Sequence, residues 1–141
     1  MLQVDKFLWR GQRPKDLNDL RNAGIQRIIS LQSGIFELLH NDLVERQFPC
    51  EFGMEQYDLK SSDIKPPEPW AVRKFLELMM FNSKPTYIHC LHGVDRTGFM
   101  CAVYRMRFQG WSYERALDEW KALGRHPWYW WWERTLKKWE P

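Results

Sequence analysis

One segment, 85–98 (PTYIHCLHGVDRTG), constrains this chain more strongly than any other. A short apolar run ends at a cysteine, a glycine stands inside the following loop, and an apolar helical stretch begins just after a second glycine. This order predicts a buried strand, a short loop and a helix N-terminus. The backbone N–H groups of such a loop and the partial positive charge of the helix end both favour a bound anion. The segment therefore predicts an anion site.

Three residues give this loop its chemistry. Cys90 opens the loop, and a thiol near a helix N-terminus and a guanidinium is expected to lose its proton near neutral pH and to act as a nucleophile. Arg96 supplies a planar fork that can hold two phosphoryl oxygens and stabilise transition-state charge. Gly93 permits the backbone angles that an anion nest needs. Cys101 and Arg107 repeat the spacing, but Cys101 lies in an apolar helical stretch and is interpreted as a buried hydrophobic residue.

Outside this loop, short apolar runs alternate with amphipathic stretches. Their patterns predict strands near the N-terminus, over 25–31, over 51–59 and over 85–89. Helices are predicted over 14–24, 35–48, 70–81, 99–108, 112–123 and 128–139. This alternation is typical of an α/β fold with a central, mostly parallel sheet of about four to five strands flanked by helices. Ligands of such sheets bind beyond the carboxyl ends of the strands, where the loop at Cys90 is expected.

Composition narrows the class of protein further. With 141 residues, 44% hydrophobic and 28% charged, the chain is expected to form one soluble domain over 1–141. No apolar stretch is long enough to span a bilayer, and the first residues carry no signal segment, although a removed presequence would leave no trace. The net charge of +3 is small and dispersed, which argues against nucleic acid as a partner. The three cysteines form neither a disulfide framework nor a metal cluster, so we expect a reducing, cytoplasmic location.

The segment 89–98, HCLHGVDRTG, resembles the phosphate-binding loop of the cysteine-dependent protein tyrosine and dual-specificity phosphatases. The family pattern of His, Cys, five residues, Arg, Ser or Thr, and Gly is met at each defining position, and FLWRGQRP and IQRIISLQS extend the likeness. The resemblance implies a small bacterial-type member with a minimal dual-specificity phosphatase core, close to the tyrosine-phosphatase-like inositol polyphosphatases (phytases). It also implies hydrolysis of phosphomonoesters through a phosphocysteine intermediate, without metal or cofactor.

The resemblance assigns a role to each residue of the loop. Cys90 would be the nucleophile, Arg96 the phosphate ligand, and Thr97 the hydroxyl that assists release of the thiolate. His89 would tune the acidity of the Cys90 thiol from behind the loop. The remaining loop residues would surround the bound phosphate, namely Leu91, His92, Gly93, Val94 and Asp95.

The family chemistry also needs a general acid for the leaving oxygen, usually an Asp on the loop before the helix that precedes the catalytic strand. Here that loop is 60–69, KSSDIKPPEP, which we call the acid loop. Asp63 is the predicted acid because Ser-Asp-x-x-Pro-Pro resembles the acid loop of the dual-specificity and lipid-phosphatase branches. Asp58, within the predicted strand, is the reserve candidate. Asp95 is a third candidate, although a carboxylate that ties its own loop down is the simpler interpretation.

Basic residues are expected around the pocket mouth. Lys60 and Lys65 belong to the acid loop, His92 lies in the phosphate loop, and Arg125 and His126 stand between the last two predicted helices. A cationic rim favours a polyanionic substrate over a lone phosphotyrosine, since each extra phosphate finds a partner. Ordinary solvated surface charge is the alternative interpretation.

Tryptophan is concentrated near the C-terminus, in 127–139 (PWYWWWERTLKKW). A helix there would place Trp128, Trp132, Leu136 and Trp139 on one stripe that packs against the core. The remaining indoles would form an exposed patch, which predicts a partner, a dimer contact or one wall of the active-site cleft.

The sequence is compatible with functions of different classes. The first is a phosphomonoester hydrolase acting on phosphotyrosine or similar aryl phosphates, and the second applies the same chemistry to inositol polyphosphates. The third is a phosphate-binding module without turnover, which is disfavoured because a binder needs no thiol. A sulfur-transfer enzyme ranks last, because the ending Arg96-Thr97-Gly98 favours phosphoryl chemistry.

Overall fold

The computed structural model describes residues 1–32, 48–81 and 84–141, and these residues contain a five-stranded sheet. The strands are β1 (Leu2–Gln3), β2 (Leu8–Gly11), β3 (Arg27–Ser30), β4 (Glu55–Asp58) and β5 (Thr86–His89), in the order β1-β2-β5-β3-β4. β1 pairs with β2 in antiparallel orientation, and the other three pairs are parallel. The predicted α/β fold with a mostly parallel sheet is therefore confirmed.

The four parallel strands end on one row of residues. In the strand register, Gly11 lies opposite His89, His89 opposite Ser30, and Ser30 opposite Asp58. Every loop that leaves this row emerges on the same edge of the sheet, which is where ligands bind in parallel sheets. The loop at Cys90 and the acid loop both begin at this edge.

Five α-helices and two 3₁₀ helices complete the described part of the chain. They are α1 (Leu17–Asn22), α2 (Pro69–Phe81), α3 (Arg96–Phe108), α4 (Tyr113–Ala122), α5 (Glu133–Lys137) and the 3₁₀ helices Pro49–Phe52 and Pro127–Trp132. Side chains cap two of them, since Asp16 accepts the N–H of Asn18 and Ser112 accepts that of Arg115. None of the helices within the described ranges has the length and apolarity needed to cross a bilayer.

The two faces of the sheet carry separate hydrophobic clusters. Because strand side chains alternate between faces, Ile29 and Ile88 pack in the larger cluster, whereas Ile28 and Tyr87 pack in the smaller one. The larger cluster is formed with α2, α3, α4 and α5, and the smaller with α1 and the segment around Met54. β5 is therefore buried on both sides, which fixes the strand that delivers Cys90.

Three predicted boundaries need correction. The helix predicted from 99 begins at Arg96, because the turn after the loop is already helical. The strand predicted over 51–59 begins only at Glu55, since Pro49 opens a 3₁₀ helix that ends at Gly53, with φ of 74°. The predicted helix 14–24 is limited to Leu17–Asn22. The helix predicted over 35–48 falls almost entirely outside the described residues.

The predicted C-terminal helix over 128–139 is wrong in its first half, which is the 3₁₀ helix Pro127–Trp132. A 3₁₀ helix has three residues per turn, so residues three apart share a side. Tyr129 and Trp132 accordingly turn inward, and Trp132 is completely buried. Trp128, expected in the core stripe, is 62% exposed, and Trp130 and Trp131 are also exposed. The predicted packing of Leu136 and Trp139 against the core is confirmed.

Candidate active site

The loop after β5 folds around the Cys90 sulfur. Cys90 is buried, and its Sγ accepts the backbone N–H of Gly93 at 3.2 Å. Gly93 has φ of 77°, a left-handed conformation that side chains rarely adopt, and it turns the loop back over the sulfur. An N–H directed at sulfur stabilises a thiolate more than a thiol, because the donor faces a full negative charge.

The loop is also held closely against the end of β2. A Cβ on Gly93 would lie 2.3 Å from the carbonyl carbon of Gly11, which no backbone can accommodate. Arg10, only 3% exposed, donates from Nη2 to the Gly93 carbonyl at 3.1 Å. The peptide at Gly93 is thus fixed by packing on one side and by a charged hydrogen bond on the other.

Arg96 joins the ends of three strands. Its guanidinium is buried, and Nη1 donates to the carbonyl of Leu31 at 3.1 Å and to that of Ser61 at 2.8 Å. Leu31 follows β3 and Ser61 follows β4, while Arg96 itself closes the loop after β5. These two carbonyls fix the plane of the guanidinium, which is the condition for bidentate recognition of phosphoryl oxygens.

Asp95 faces away from the helix that it precedes. Its Oδ1 accepts the backbone N–H of His126 at 2.9 Å, and its Oδ2 lies 2.7 Å from His126 Nδ1. The Asp95 side chain makes no capping hydrogen bond to α3. The turn that carries Arg125 and His126 therefore lies against the phosphate loop, and the Asp95 carboxylate does not cap the helix N-terminus, where an anion would bind.

Trp120 supports the loop from α4. Its indole Nε1 lies 3.2 Å from the carbonyl oxygen of Val94 and 3.1 Å from that of Asp95, so one N–H serves two loop carbonyls. A Cβ on Gly98 would lie 2.3 Å from Trp120 Cδ1, which explains why a glycine stands in the first turn of α3. The loop and α3 therefore pack directly on a buried indole.

Thr97 and His89 are both buried, with His89 immediately before Cys90 in the chain and Thr97 immediately after Arg96. The Thr97 hydroxyl is fully buried and finds no hydrogen-bond partner within the described residues, an arrangement that costs free energy unless a ligand or reaction step uses it. His89 Nδ1 lies 3.3 Å from the Cys90 carbonyl, which can only accept, so Nδ1 carries the proton. Burial lowers the pKa of His89 to about 4 and keeps the ring neutral.

The acid loop passes over the same edge of the sheet. Ser61, its second residue, is bound by Arg96, and the Ser62 hydroxyl accepts the N–H groups of Ile64 and Lys65. The Asp63 side chain is exposed, and the backbone carbonyl of Asp63 accepts a hydrogen bond from the Tyr129 hydroxyl at 2.8 Å. The reserve candidate Asp58 ends β4, where its carboxylate accepts an amide N–H of Gln56 at 2.9 Å.

Some basic residues of the predicted rim are exposed, and others are paired with residues of the protein. Lys60, Lys65 and His92 are exposed. Arg125 donates to Glu133 at 2.7 Å and stacks over the Trp120 ring, and its side chain is only 6% exposed. Its guanidinium is therefore committed to the protein, as His126 is to Asp95.

Four supporting residues escaped sequence reasoning. Arg10 stands in the quoted segment FLWRGQRP, and an arginine inside a strand pattern is a signal of a buried partner. The sequence pattern of Trp120 indicates a core or helix-surface residue and gives no signal that its N–H binds the loop. Tyr129 and Trp132 reach the acid loop only because their segment is 3₁₀ rather than α-helical. Across the described ranges, no three or more His, Cys, Asp or Glu side chains are grouped to bind a metal ion.

Comparison with known sequences places this arrangement among phosphatases. A family model described as "Polymorphic toxin system, DSP-PTPase phosphatase" matches residues 8–110. The dual specificity protein phosphatase TpbA of Pseudomonas aeruginosa strain UCBPP-PA14 is 45% identical over 40 residues, which are 28% of this chain. That alignment spans 18% of the length of TpbA.

Solved structures share the fold. PTPMT1 superposes with a TM-score of 0.75 at 20% identity, covering 98% of this chain and 92% of PTPMT1. The core catalytic domain of the PP-IP phosphatase SIW14 from S. cerevisiae gives 0.71 at 20% identity, covering 99% and 83%. A TpbA variant in complex with phosphotyrosine gives 0.65 at 19% identity, covering 87% and 74%. At these identities the likeness establishes the fold alone.

Proposed function

Because the chain belongs to the DSP-PTPase phosphatase family of polymorphic toxin systems, we propose that it hydrolyses phosphomonoesters through a phosphocysteine on Cys90. One observation carries the proposal: the Cys90 sulfur accepts the Gly93 N–H, and the loop that Cys90 opens leads into α3 at Arg96, whose guanidinium is held by two backbone carbonyls. Thiolate, oriented N–H groups and guanidinium form a site for a nucleophilic attack on a dianionic phosphate.

In the first step, the Cys90 thiolate attacks phosphorus and the bond from phosphorus to the leaving oxygen breaks. Arg96 and the loop N–H groups hold the three equatorial oxygens, on which the transition-state charge is spread. Asp63 in its acid form gives its proton to the leaving oxygen, so the alcohol departs neutral. The products are phosphocysteine, alcohol and the Asp63 carboxylate.

In the second step, water attacks the phosphocysteine and the sulfur–phosphorus bond breaks. The Asp63 carboxylate accepts a proton from this water and returns to its acid form. The departing Cys90 thiolate needs a donor, and the Thr97 hydroxyl, which has no partner in the part of the chain that the structure describes, supports the role assigned to it. Hydrogen phosphate is released and the enzyme is restored.

Phosphotyrosine and similar aryl phosphates are the proposed substrates. The support is the family assignment and the fold shared with TpbA, whose variant was solved with phosphotyrosine. The prediction that neither metal nor cofactor is needed follows from the mechanism, in which Arg96 and backbone N–H groups take the role of a cation. Chelator in every assay tests this prediction.

An inositol polyphosphate remains the second proposed substrate. The exposed cations Lys60, Lys65 and His92 favour it, and the PP-IP phosphatase SIW14 shares the fold. Because Arg125 is paired with Glu133, the support is weaker than the sequence alone indicates. Replacing both Lys60 and Lys65 by alanine should lower turnover of inositol hexakisphosphate and leave an aryl phosphate unchanged if this second reading holds.

The deciding experiment measures kcat/KM against pH for phosphotyrosine, an aryl phosphate with a poor leaving group, and for inositol hexakisphosphate, with chelator present. Cys90→Ser should abolish turnover of both, whereas Cys50→Ser, the same change at an exposed thiol, should have no effect. Asp63→Asn should lower kcat/KM about 10²-fold or more and remove the basic limb of the profile. If Asp58→Asn does so instead, Asp58 is the acid. A wild type that binds phosphate but turns over neither substrate would support the binding module.

Two further predictions concern the surroundings of the enzyme. The exposed indoles of Trp128, Trp130 and Trp131 support the proposed partner or dimer contact. Sedimentation of the wild type and of a double variant, Trp130→Ser with Trp131→Ser, tests this contact.

Three free thiols support the proposed cytoplasmic location. Cell fractionation tests this location.

A further inference from the structure

Residues 126–132, which we call the aromatic bridge, contact both loops of the candidate site. One end binds the phosphate loop, because the His126 N–H and ring both meet the Asp95 carboxylate. The other end binds the acid loop through Tyr129 and Trp132. The bridge lies far from these loops in sequence, yet it connects them directly in space.

The acid-loop contacts fall on two consecutive carbonyls. The Tyr129 hydroxyl donates to the carbonyl of Asp63 at 2.8 Å, and the Trp132 indole N–H donates to that of Ile64 at 3.3 Å. Both rings sit on the inward side of the 3₁₀ helix, with centroids 4.4 Å apart. Two donors on adjacent peptides fix the backbone of the acid loop at the residue that carries the proposed acid.

The bridge is itself rigid. The Tyr129 N–H donates to the His126 carbonyl at 3.1 Å, and the His126 ring stacks on Trp128 with centroids 4.4 Å apart. Trp132 is completely buried against Trp120 and Phe99. The position of Asp63 relative to the phosphate loop is therefore set through side chains that pack in the core.

We propose that Tyr129 is a positioning residue for the general acid, holding the Asp63 backbone so that its exposed carboxyl group reaches the leaving oxygen. The proposal rests on the proposed function, in which Asp63 is that acid. Burial raises the pKa of Tyr129, so its hydroxyl remains a donor throughout the neutral range. A loop that is held at Asp63 by hydrogen bonds needs less reorganisation to place the Asp63 carboxyl group. Small errors in the placement of a catalytic group lower the rate strongly.

The test exploits the leaving group. An ester with a poor leaving group, such as phosphotyrosine, needs the acid, whereas p-nitrophenyl phosphate, whose leaving group departs as a stable anion, needs it little. Tyr129→Phe should lower kcat/KM for phosphotyrosine about 10-fold, weaken the basic limb of its pH profile, and change kcat/KM for p-nitrophenyl phosphate by less than about 2-fold. In an Asp63→Asn background, Tyr129→Phe should have no further effect.

Tyr113 provides the matched control. Its hydroxyl also donates to a backbone carbonyl, but to that of Glu133 at 3.2 Å, which belongs to neither loop of the site. Tyr113→Phe should leave both substrates unchanged. Incorporation of 4-aminophenylalanine at position 129, which restores a donor on the same ring, should recover phosphotyrosine turnover, and it also serves if Tyr129→Phe folds poorly.

The outcomes separate this proposal from the function on which it rests. Equal loss on both substrates in Tyr129→Phe, or an undiminished effect in the Asp63→Asn background, overturns the positioning role. If Asp63→Asn itself shows no dependence on the leaving group, the assignment of Asp63 fails first. If Asp63→Asn shows that dependence and Tyr129→Phe does not, only the positioning role is wrong.

Discussion

Both carboxylate oxygens of Asp95 bind His126, with Oδ1 2.9 Å from the backbone nitrogen and Oδ2 2.7 Å from Nδ1. Asp95 immediately precedes α3, where a carboxylate usually caps the helix and would repel a phosphate. Turning this side chain toward His126 keeps its charge from capping the end of α3, where the proposed phosphate would bind, and ties the phosphate loop to the turn after α4. One interaction thus holds the phosphate loop and would also favour the anion binding that we propose.

Removing this carboxylate should destabilise the protein. Asp95→Ala is expected to lower the free energy of unfolding by about 1–3 kcal/mol, because a partly buried backbone N–H and an imidazole lose their acceptor. Urea titration measures the loss. Asp118→Ala, at an exposed position of α4, should change stability by less than about 0.5 kcal/mol.

The same position also tests the choice of general acid. Asp95→Asn keeps an acceptor for the His126 N–H, so the phosphate loop should stay in place. Because Asp63 is the proposed acid, this variant should retain the basic limb of the kcat/KM profile. Loss of that limb in Asp95→Asn, with its retention in Asp63→Asn, would move the acid role from the acid loop to the phosphate loop.

Gly93 should be intolerant of any side chain. Its φ of 77° costs an alanine about 1–2 kcal/mol, and its Cβ would collide with the backbone of Gly11 at 2.3 Å. Gly93→Ala is therefore expected to lower the free energy of unfolding by about 3 kcal/mol and kcat/KM about 10²-fold, since the loop must move.

Gly53 provides a control that separates the conformational cost of an alanine from its steric collision. Its φ is 74°, but a Cβ there would meet no atom within 4 Å. Gly53→Ala should thus carry only the conformational cost and leave kcat/KM unchanged. Equal losses of stability in the two variants would show that the close approach of Gly93 to Gly11 has no energetic weight.

The features of the fold that depend on a local residue pattern can be predicted from the sequence. The buried run ending at His89, the loop glycine and the apolar helix after it are visible in one short segment, so the sheet and the place of the site could be inferred. The α3 start at Arg96 was missed because the loop residues themselves adopt helical angles.

Long-range support could not be inferred in the same way. The hydrogen bonds of Arg10 to Gly93 and of Tyr129 to Asp63 join residues 83 and 66 positions apart. The second depends on a 3₁₀ helix in a segment whose apolar spacing favoured an α-helix. These contacts with the acid loop are long-range, and no local periodicity encodes them.

His89 should make stability fall in mild acid. Its ordinary pKa of 6.5 is lowered by burial to about 4, so below pH 6.5 the unfolded chain binds a proton that the native protein refuses. The stabilisation is complete above pH 6.5 and is lost as pH falls through 4, a decrease of about 3 kcal/mol from this group. His89→Asn keeps a donor for the Cys90 carbonyl and removes the titration. In urea unfolding at pH 7.5, 6, 5 and 4, the free energy of unfolding should fall more steeply with falling pH for the wild type than for the variant. A difference that stays constant over this range would mean that His89 takes up its proton equally well in the folded protein.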